Sequence, residues 1–260
     1  MSTNNSEQNA RVRDQFSKQA ERYAELINSS KDTTLPALLE AVKPTTDDRM
    51  LDVGCGTGRF AITLAPLVAK AVGIDLTSAM LEQARKAQAA AHVENIEWQQ
   101  GDVADLPFAD GEFTLVTCKA MLHHVTEPLR VIAEMSRVCA RGGHVLAADL
   151  TPARDKVAAF DAIEILRDPS HAHAMTLDEL RAIGSTLGLK EIAVHEHATR
   201  MLLEPVLQTS FPEAGVLDRV RNLYRIDAES GGDALGFGAR IDNGEITVAY
   251  PMSMVVWEKV

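Results

Sequence analysis

The chain has 260 residues, with 26 Lys and Arg against 37 Asp and Glu, a net charge of −11 and 46% hydrophobic residues. That is length and apolar content for one α/β domain with a real core and extra cover. A net acidic chain without a Lys/Arg-rich run is a poor partner for nucleic acid or anionic lipid, and no apolar stretch nears the roughly 20 residues of a membrane span.

The polar start MSTNNSEQNARVRDQF lacks the apolar stretch of a secretory signal, and residues 1–10 read as a disordered leader. Cys55, Cys118 and Cys139 are odd in number and without metal-ligand spacing. The expectation is free thiols, no metal and a cytoplasmic setting.

From about Arg11 to Asn28, Val12, Phe16, Ala20, Tyr23 and Ile27 recur at helical spacing. A second helix is predicted at about Thr34–Val42, ending at Lys43-Pro44. The run RMLDVGCG is a strand stopping at glycines, followed by a helix carrying Phe60, Ile62, Leu64 and Leu67. Ala71–Asp75, Ile96–Gln100, Phe113–Cys118 and HVLAADL (144–150) read as further strands, with helices at Ser78–Ala91 and Pro128–Ala140. Such alternation predicts a parallel sheet wrapped by helices on both faces.

After Leu150 the regular alternation stops. Arg154–Leu166 reads as a helix, DPSHAHAM as a loop, and Thr176 with Glu179 as a capping box opening a helix that closes at Gly188. A strand at Glu191–Thr199, helical residues 203–228 broken near Pro212, a hairpin around Asp242-Asn243-Gly244 and a terminal strand MSMVVW complete the reading.

The segment Asp52-Val53-Gly54-Cys55-Gly56-Thr57-Gly58 sits where a strand meets a helix. Glycines there let backbone approach a ligand closely, and the helix start offers free N–H donors. Asp75 closes the next strand, 17 residues past Gly58, where a carboxylate can accept both ribose hydroxyls. Asp102, in the turn after the third strand, is placed to accept from an exocyclic amine. A dinucleotide loop would read G-x-G-x-x-G. Here the third glycine comes one residue early, with Arg59 in its place, and Asp52 precedes the first glycine by two. An acid there would repel a pyrophosphate and suit a cation. The ligand suggested has ribose and adenine but no phosphate.

In these segments the chain resembles the class I S-adenosylmethionine-dependent methyltransferases: LDVGCGTG (51–58), GIDLTSAML (73–81), GDVADLPF (101–108), FTLVTCKAMLHHV (113–125) and RGGHVLAADL (141–150). VRDQFSKQAERYAEL (12–26) and RDPSHAHAMT (167–176) look like the ubiquinone/menaquinone-biosynthesis-like, type 11 branch. The resemblance implies a Rossmann-like, seven-stranded, mostly parallel sheet with helices on both faces and a helical lid or insertion. It implies one domain of three parts: N-terminal cap helices (1–43), a cofactor-binding core (44–150), and a substrate lid, insertion and C-terminal strands (151–260).

The cofactor implied is S-adenosylmethionine. Gly54, Gly56 and Gly58 would pack on its methionine and ribose portion, with Asp52 near its amino end. Asp75 would take the ribose hydroxyls, Leu76 would pack on adenine, and Asp102 with the Val103 backbone would meet the adenine edge. Lys119 would line the methionine end, where a small or polar residue is more usual, and Tyr23 would cover the site. As an aromatic on an amphipathic helix, Tyr23 reads equally well as packing.

Methyl transfer from a sulfonium is an in-line displacement with a neutral leaving group, so the protein chiefly positions the acceptor. A base helps when the acceptor must lose a proton. His123 and His124, after the fourth strand, and His171, in the DPSHAHAM loop, are the catalytic candidates. Adjacent side chains diverge, so one of His123 and His124 is expected to face the pocket. The bland alternatives are a turn histidine bonded to backbone and a solvated loop histidine.

The expected activity is methylation at oxygen, nitrogen or carbon of a small ring-containing metabolite, with no nucleic-acid or membrane partner and a homodimer possible through the tail hairpin. Three alternatives stand beside it. One is a same-fold enzyme using the cofactor for rearrangement, decarboxylation or elimination. The others are a nicotinamide-dependent oxidoreductase and a non-catalytic cofactor-binding protein. Charge splits as −1 over residues 1–50, −4 over 51–150 and −6 over 151–260, so no region is basic.

Overall fold

The computed structural model describes residues 3–29 and 34–260. The chain opens with α1 (Thr3–Ser29), followed by α2 (Thr34–Val42). The leader expected to be disordered is therefore helical from Thr3; Met1 and Ser2 lie outside the described residues. Buried Asn5, Gln8, Gln15 and Gln19 turn one polar face of α1 inward, and Gln8 anchors it by donating to His124 O and Ser170 O.

The core then alternates as expected: β1 (Arg49–Val53), α3 (Arg59–Leu64) with a 3-10 turn over Ala65–Leu67, β2 (Lys70–Asp75), α4 (Ser78–Ala91), β3 (Ile96–Gln100), β4 (Phe113–Lys119), α5 (Pro128–Val138) and β5 (Cys139–Leu150). The second half adds α6 (Val157–Arg167), α7 (Leu177–Thr186), β6 (Lys190–Leu202), α8 (Leu203–Gln208), α9 (Val216–Ser230), β7 (Arg240–Asp242) and β8 (Glu245–Glu258).

The capping box at α7 is present, with Thr176 N–H donating to Glu179 Oε2 and Glu179 N–H to Thr176 Oγ1. The hairpin joining β7 to β8 turns through Asn243 and Gly244, both at positive φ, as a two-residue hairpin turn requires.

Seven strands run in the order β3-β2-β1-β4-β5-β8-β6, and the three-residue β7 adds an eighth beside β8. β1 to β5 pair in parallel, whereas β8 runs antiparallel to both β5 and β6. The sheet is thus mostly parallel, and helices cover both faces. Alternate residues of β1 show the two-sided burial: Leu51 and Val53 join a core with Val131, Ile132 and Trp257, while Met50 joins Leu38, Leu64 and Met254. A third cluster, with Phe160, Tyr224, Phe237 and Tyr250, is built by the second half. In the sheet order, the chain reverses direction of progression between β1 and β4. Ligands of open α/β sheets bind outside the carboxyl ends of the strands at such a reversal.

Candidate functional site

The carboxyl ends of β1 to β5 open on a cavity of about 310 Å³, bordered by α1 on one side and by residues of α6, β6, α8 and β8 on the other. Nine of the ten positions expected at a cofactor line it: Tyr23, Asp52, Gly54, Gly56, Asp75, Leu76, Asp102, Val103 and Lys119.

Gly58 is the exception. At φ +77 it starts α3, and a Cβ there would come within 2.4 Å of the Trp98 ring and 2.9 Å of Ala84. Its glycine requirement comes from packing on α4 and β3. Gly56 is different: it is at φ +53, lines the cavity, and an added Cβ would meet nothing within 4 Å. The loop thus keeps open space on its cavity side.

Three carboxylates mark this end. Asp52, at 2% exposure, accepts from Thr117 Oγ1 at 3.0 Å through Oδ1, while its buried Oδ2 has no partner among the described residues. Burial pushes its carboxyl up to about 7, although hydrogen bonding and the charge of Lys119 pull the other way. Asp75 accepts from the backbone N–H of Gly56 at 2.9 Å and of Thr77 at 2.8 Å. Burial outweighs these bonds and raises its carboxyl as well. Asp102 accepts from Ala104 N–H at 2.9 Å and from Asn9 Nδ2 of α1 at 2.8 Å.

A buried carboxylate oxygen without a donor costs free energy that a cationic ligand would recover. Together with the open space at Gly56, it fits a compact positive group beside a nucleoside. Lys119 lies with Nζ 5.3 Å from the Phe60 ring centre, which suits a cation on an aromatic face.

Past β4 the backbone makes a 3-10 turn at Leu122–His124. Its tightness brings both imidazoles to the cavity wall, so the expectation that one of them faces away is corrected; their ring centres are 4.1 Å apart. His123 Nδ1–H donates to Asp149 Oδ1 at 2.5 Å, and the other oxygen of Asp149 accepts from Met121 and Leu122 N–H. Burial disfavours charge on His123, but Asp149 outweighs it and holds the imidazole above its ordinary value.

His124 stands opposite in character. Burial, and then the neighbouring His123 charge, push it down to about 3. Its Nδ1 lies 3.1 Å from Ser170 O. That contact assigns a proton to Nδ1, because a carbonyl only accepts, and leaves Nε2 as the acceptor nitrogen. Phe16 of α1 packs edge-on against the His124 ring at 4.9 Å.

His171 is buried behind this pair and off the cavity wall, its ring centre 5.6 Å from that of His123. Its Nε2 lies 2.8 Å from Asp161 Oδ1, and the same carboxylate meets His173 Nδ1 at 2.7 Å.

The charged pair on the far wall was not anticipated. Glu164 and Arg167 of α6 form a two-bond ion pair, at 2.6 and 3.1 Å, with side chains 1% and 13% exposed. Arg167 also donates to Ser210 Oγ, and Tyr250 OH to Glu164. Leu150, Met201, Val206 and Met252 supply apolar surface beside them. Arg200 of β6 donates to Gly238 O and Thr247 Oγ1. Arg221 pairs with Glu204 and Asp218 on an exposed face.

The missed residues left one readable signal. Asp149 ends β5, beside the strand carrying the histidine turn, and acids at such ends point toward the site.

Residues 51–147 match a family described as "Methyltransferase domain". The chain is 32% identical over 172 residues to "Uncharacterized methyltransferase YcgJ" of Bacillus subtilis, covering 65% of this chain and 68% of that protein. It is 30% identical over 153 residues to "Ubiquinone/menaquinone biosynthesis C-methyltransferase UbiE" of Roseobacter denitrificans, covering 56% of this chain and 61%, less than two thirds, of that relative. The crystal structure of the YcgJ protein superposes with a TM-score of 0.78 at 23% identity, over 87% of this chain and 97% of that one. At that identity the superposition speaks for the fold.

Proposed function

The chain belongs to the S-adenosylmethionine-dependent methyltransferases, and from that premise we propose that it methylates oxygen, nitrogen or carbon of a small ring-containing metabolite. The cofactor of the family is S-adenosylmethionine. The observation that carries the reading is that one cavity joins the glycine-loop end, with its unpartnered Asp52 oxygen, to the His123–Asp149 pair.

In this reading residues 44–150 hold the cofactor, residues 1–43 cover it, and residues 151–260 select the acceptor. Asp52 meets the cofactor's cationic amino end, with Lys119 beside it. Asp75 takes the ribose hydroxyls, the loop at Gly54 and Gly56 gives the backbone room to approach, and Leu76, Asp102 and Val103 border the adenine. Gly58 supports the loop by packing, and Tyr23 closes the cavity from α1.

When bound, S-adenosylmethionine supplies a methyl group already activated on a sulfonium. The chain's own task is to align the acceptor and take its proton. His123 Nε2 accepts the proton of an acceptor hydroxyl, and Asp149 stabilises the imidazolium that forms. His124, held neutral, adds an uncharged acceptor nitrogen, Nε2, to the wall beside it, open to a second donor group of the acceptor. His171, behind them, supports the turn and does not touch the acceptor. Glu164 and Arg167 balance each other's charge on the far wall, and the surrounding aliphatic side chains suit an apolar ring.

The test is incubation with S-adenosylmethionine carrying a deuterated methyl group and a panel of phenols, enols and ring amines, followed by mass spectrometry. Label in a product is expected. An acceptor converted without label would replace methyl transfer by rearrangement, decarboxylation or elimination.

A further inference from the structure

The carboxylate expected to meet adenine does not face the cavity alone. Asn9, on the second turn of α1, lines the cavity and donates from Nδ2 to Asp102 Oδ2 at 2.8 Å. This bond settles which way the amide is turned. A carboxylate only accepts, so the Asn9 NH2 must face it, leaving the carbonyl oxygen Oδ1 as the group's remaining acceptor. The preceding residue fixes the helix at this point: Gln8 Nε2 donates to His124 O at 2.8 Å and Ser170 O at 2.6 Å. Asn9 is therefore held from two sides, by its own bond to the loop after β3 and by the docking of Gln8.

We propose that Asn9 is a cofactor-specificity residue: oriented by Asp102, its amide carbonyl accepts a hydrogen bond from the exocyclic amine of adenine. The proposal rests on the reading that the adenine lies at Asp102. Asp102 is then both a direct neighbour of the base and the group that aims Asn9 at it. The helix α1 becomes part of the nucleoside site as well as its cover. A base bearing a carbonyl in place of the amine would set oxygen against oxygen at Asn9, and a site built around a donor rejects a ligand that lacks it.

Calorimetric titration of the whole protein with S-adenosylhomocysteine and with S-inosylhomocysteine tests this without needing the methyl acceptor. The wild type is expected to favour the adenine compound by about 100-fold, the cost of leaving a buried acceptor unmet. Asn9→Leu, of similar size and compatible with a helix, is expected to weaken the adenine compound about tenfold. The inosine compound should stay within about threefold, so the preference narrows. Gln8→Ala loosens the same helix without touching the base and should move both affinities together. An Asn9→Leu variant with an unchanged preference overturns the proposal while leaving the cofactor site intact. A wild type that binds neither compound overturns the underlying placement of the cofactor as well.

Discussion

The two ends of the cavity are held by different kinds of bond. At the glycine-loop end, backbone N–H groups predominate: Gly56 and Thr77 fix Asp75 and Ala104 fixes Asp102, with the side chains of Thr117 on Asp52 and Asn9 on Asp102 added to them. At the far end, side chain holds side chain: Arg167 and Tyr250 on Glu164 at the wall, and, behind it, His171 and His173 on Asp161. The first kind is set by chain geometry over a few residues and serves a ligand common to a whole family. The second depends on partners brought together from α6, the loop after it and β8, and one substitution can rewrite it. Cofactor binding should therefore be robust to changes in the second half, and acceptor choice should not.

The largest effect is expected where the two ends meet. His123→Asn or Asp149→Asn should lower turnover of a hydroxyl acceptor by about 10²–10⁴-fold, the usual worth of general-base catalysis. Affinity for S-adenosylhomocysteine should stay within about threefold. The pH profile carries the sign. Burial opposes charge on His123 but Asp149 more than offsets it, so its value lies above the ordinary 6.5. The wild-type rate should rise with pH through that higher value, and initial rates of Asp149→Asn should shift the rise to lower pH.

Next comes the far wall. Glu164→Gln leaves the buried Arg167 guanidinium without its carboxylate and should cost about 3–5 kcal/mol in urea denaturation. The double change Glu164→Gln/Arg167→Met should recover most of it, because the buried charge is gone. Recovery with intact cofactor affinity would mark the pair as belonging to the acceptor end alone.

At the cofactor end a smaller, graded effect is expected from Asp52. Burial raises its carboxyl to about 7. The unfolded chain ionises it first, so this group destabilises the fold progressively as pH climbs from its ordinary 3.8. A cationic ligand favours the ionised form, so binding below pH 7 must displace a proton. Affinity for S-adenosylhomocysteine should rise by up to about tenfold per pH unit toward pH 7 and then level off. Calorimetry on Asp52→Asn should give a shallower profile, with only the contribution of Asp75 left.

Gly58→Ala should give the smallest effect, about 1–3 kcal/mol of stability from backbone strain and the Trp98 contact. Thermal unfolding reads it, and affinity should change only as far as the loop shifts.

This division also explains what the sequence revealed. The strands and helices from Arg49 to Leu150 could be read because hydrophobic period, glycines and caps are local signals, and the proposed cofactor positions other than Tyr23 lie inside the same contiguous motifs. The capping box at Thr176 and the turn at Asn243-Gly244 were legible for the same reason. Glu164 and Arg167 were not, since a charged pair three residues apart on a helix looks like a solvated face until β8 and α8 bury it. The helicity of residues 3–10 was hidden similarly: Gln8 and Asn9 are polar, and only their distant partners Ser170 and Asp102 make burial favourable. The histidine turn fell between these cases, visible as a candidate but not in its 3-10 geometry.

One titration addresses the division itself. S-adenosylhomocysteine would be titrated calorimetrically into the wild type, Asp75→Ala and Met201→Ala, all confirmed folded by circular dichroism. Asp75→Ala, which removes a charged acceptor at the glycine-loop end, is expected to weaken binding about 100-fold, and Met201→Ala, at the acceptor end, to stay within about threefold. Binding that survives Asp75→Ala but is lost in Met201→Ala would contradict the assignment of the two ends.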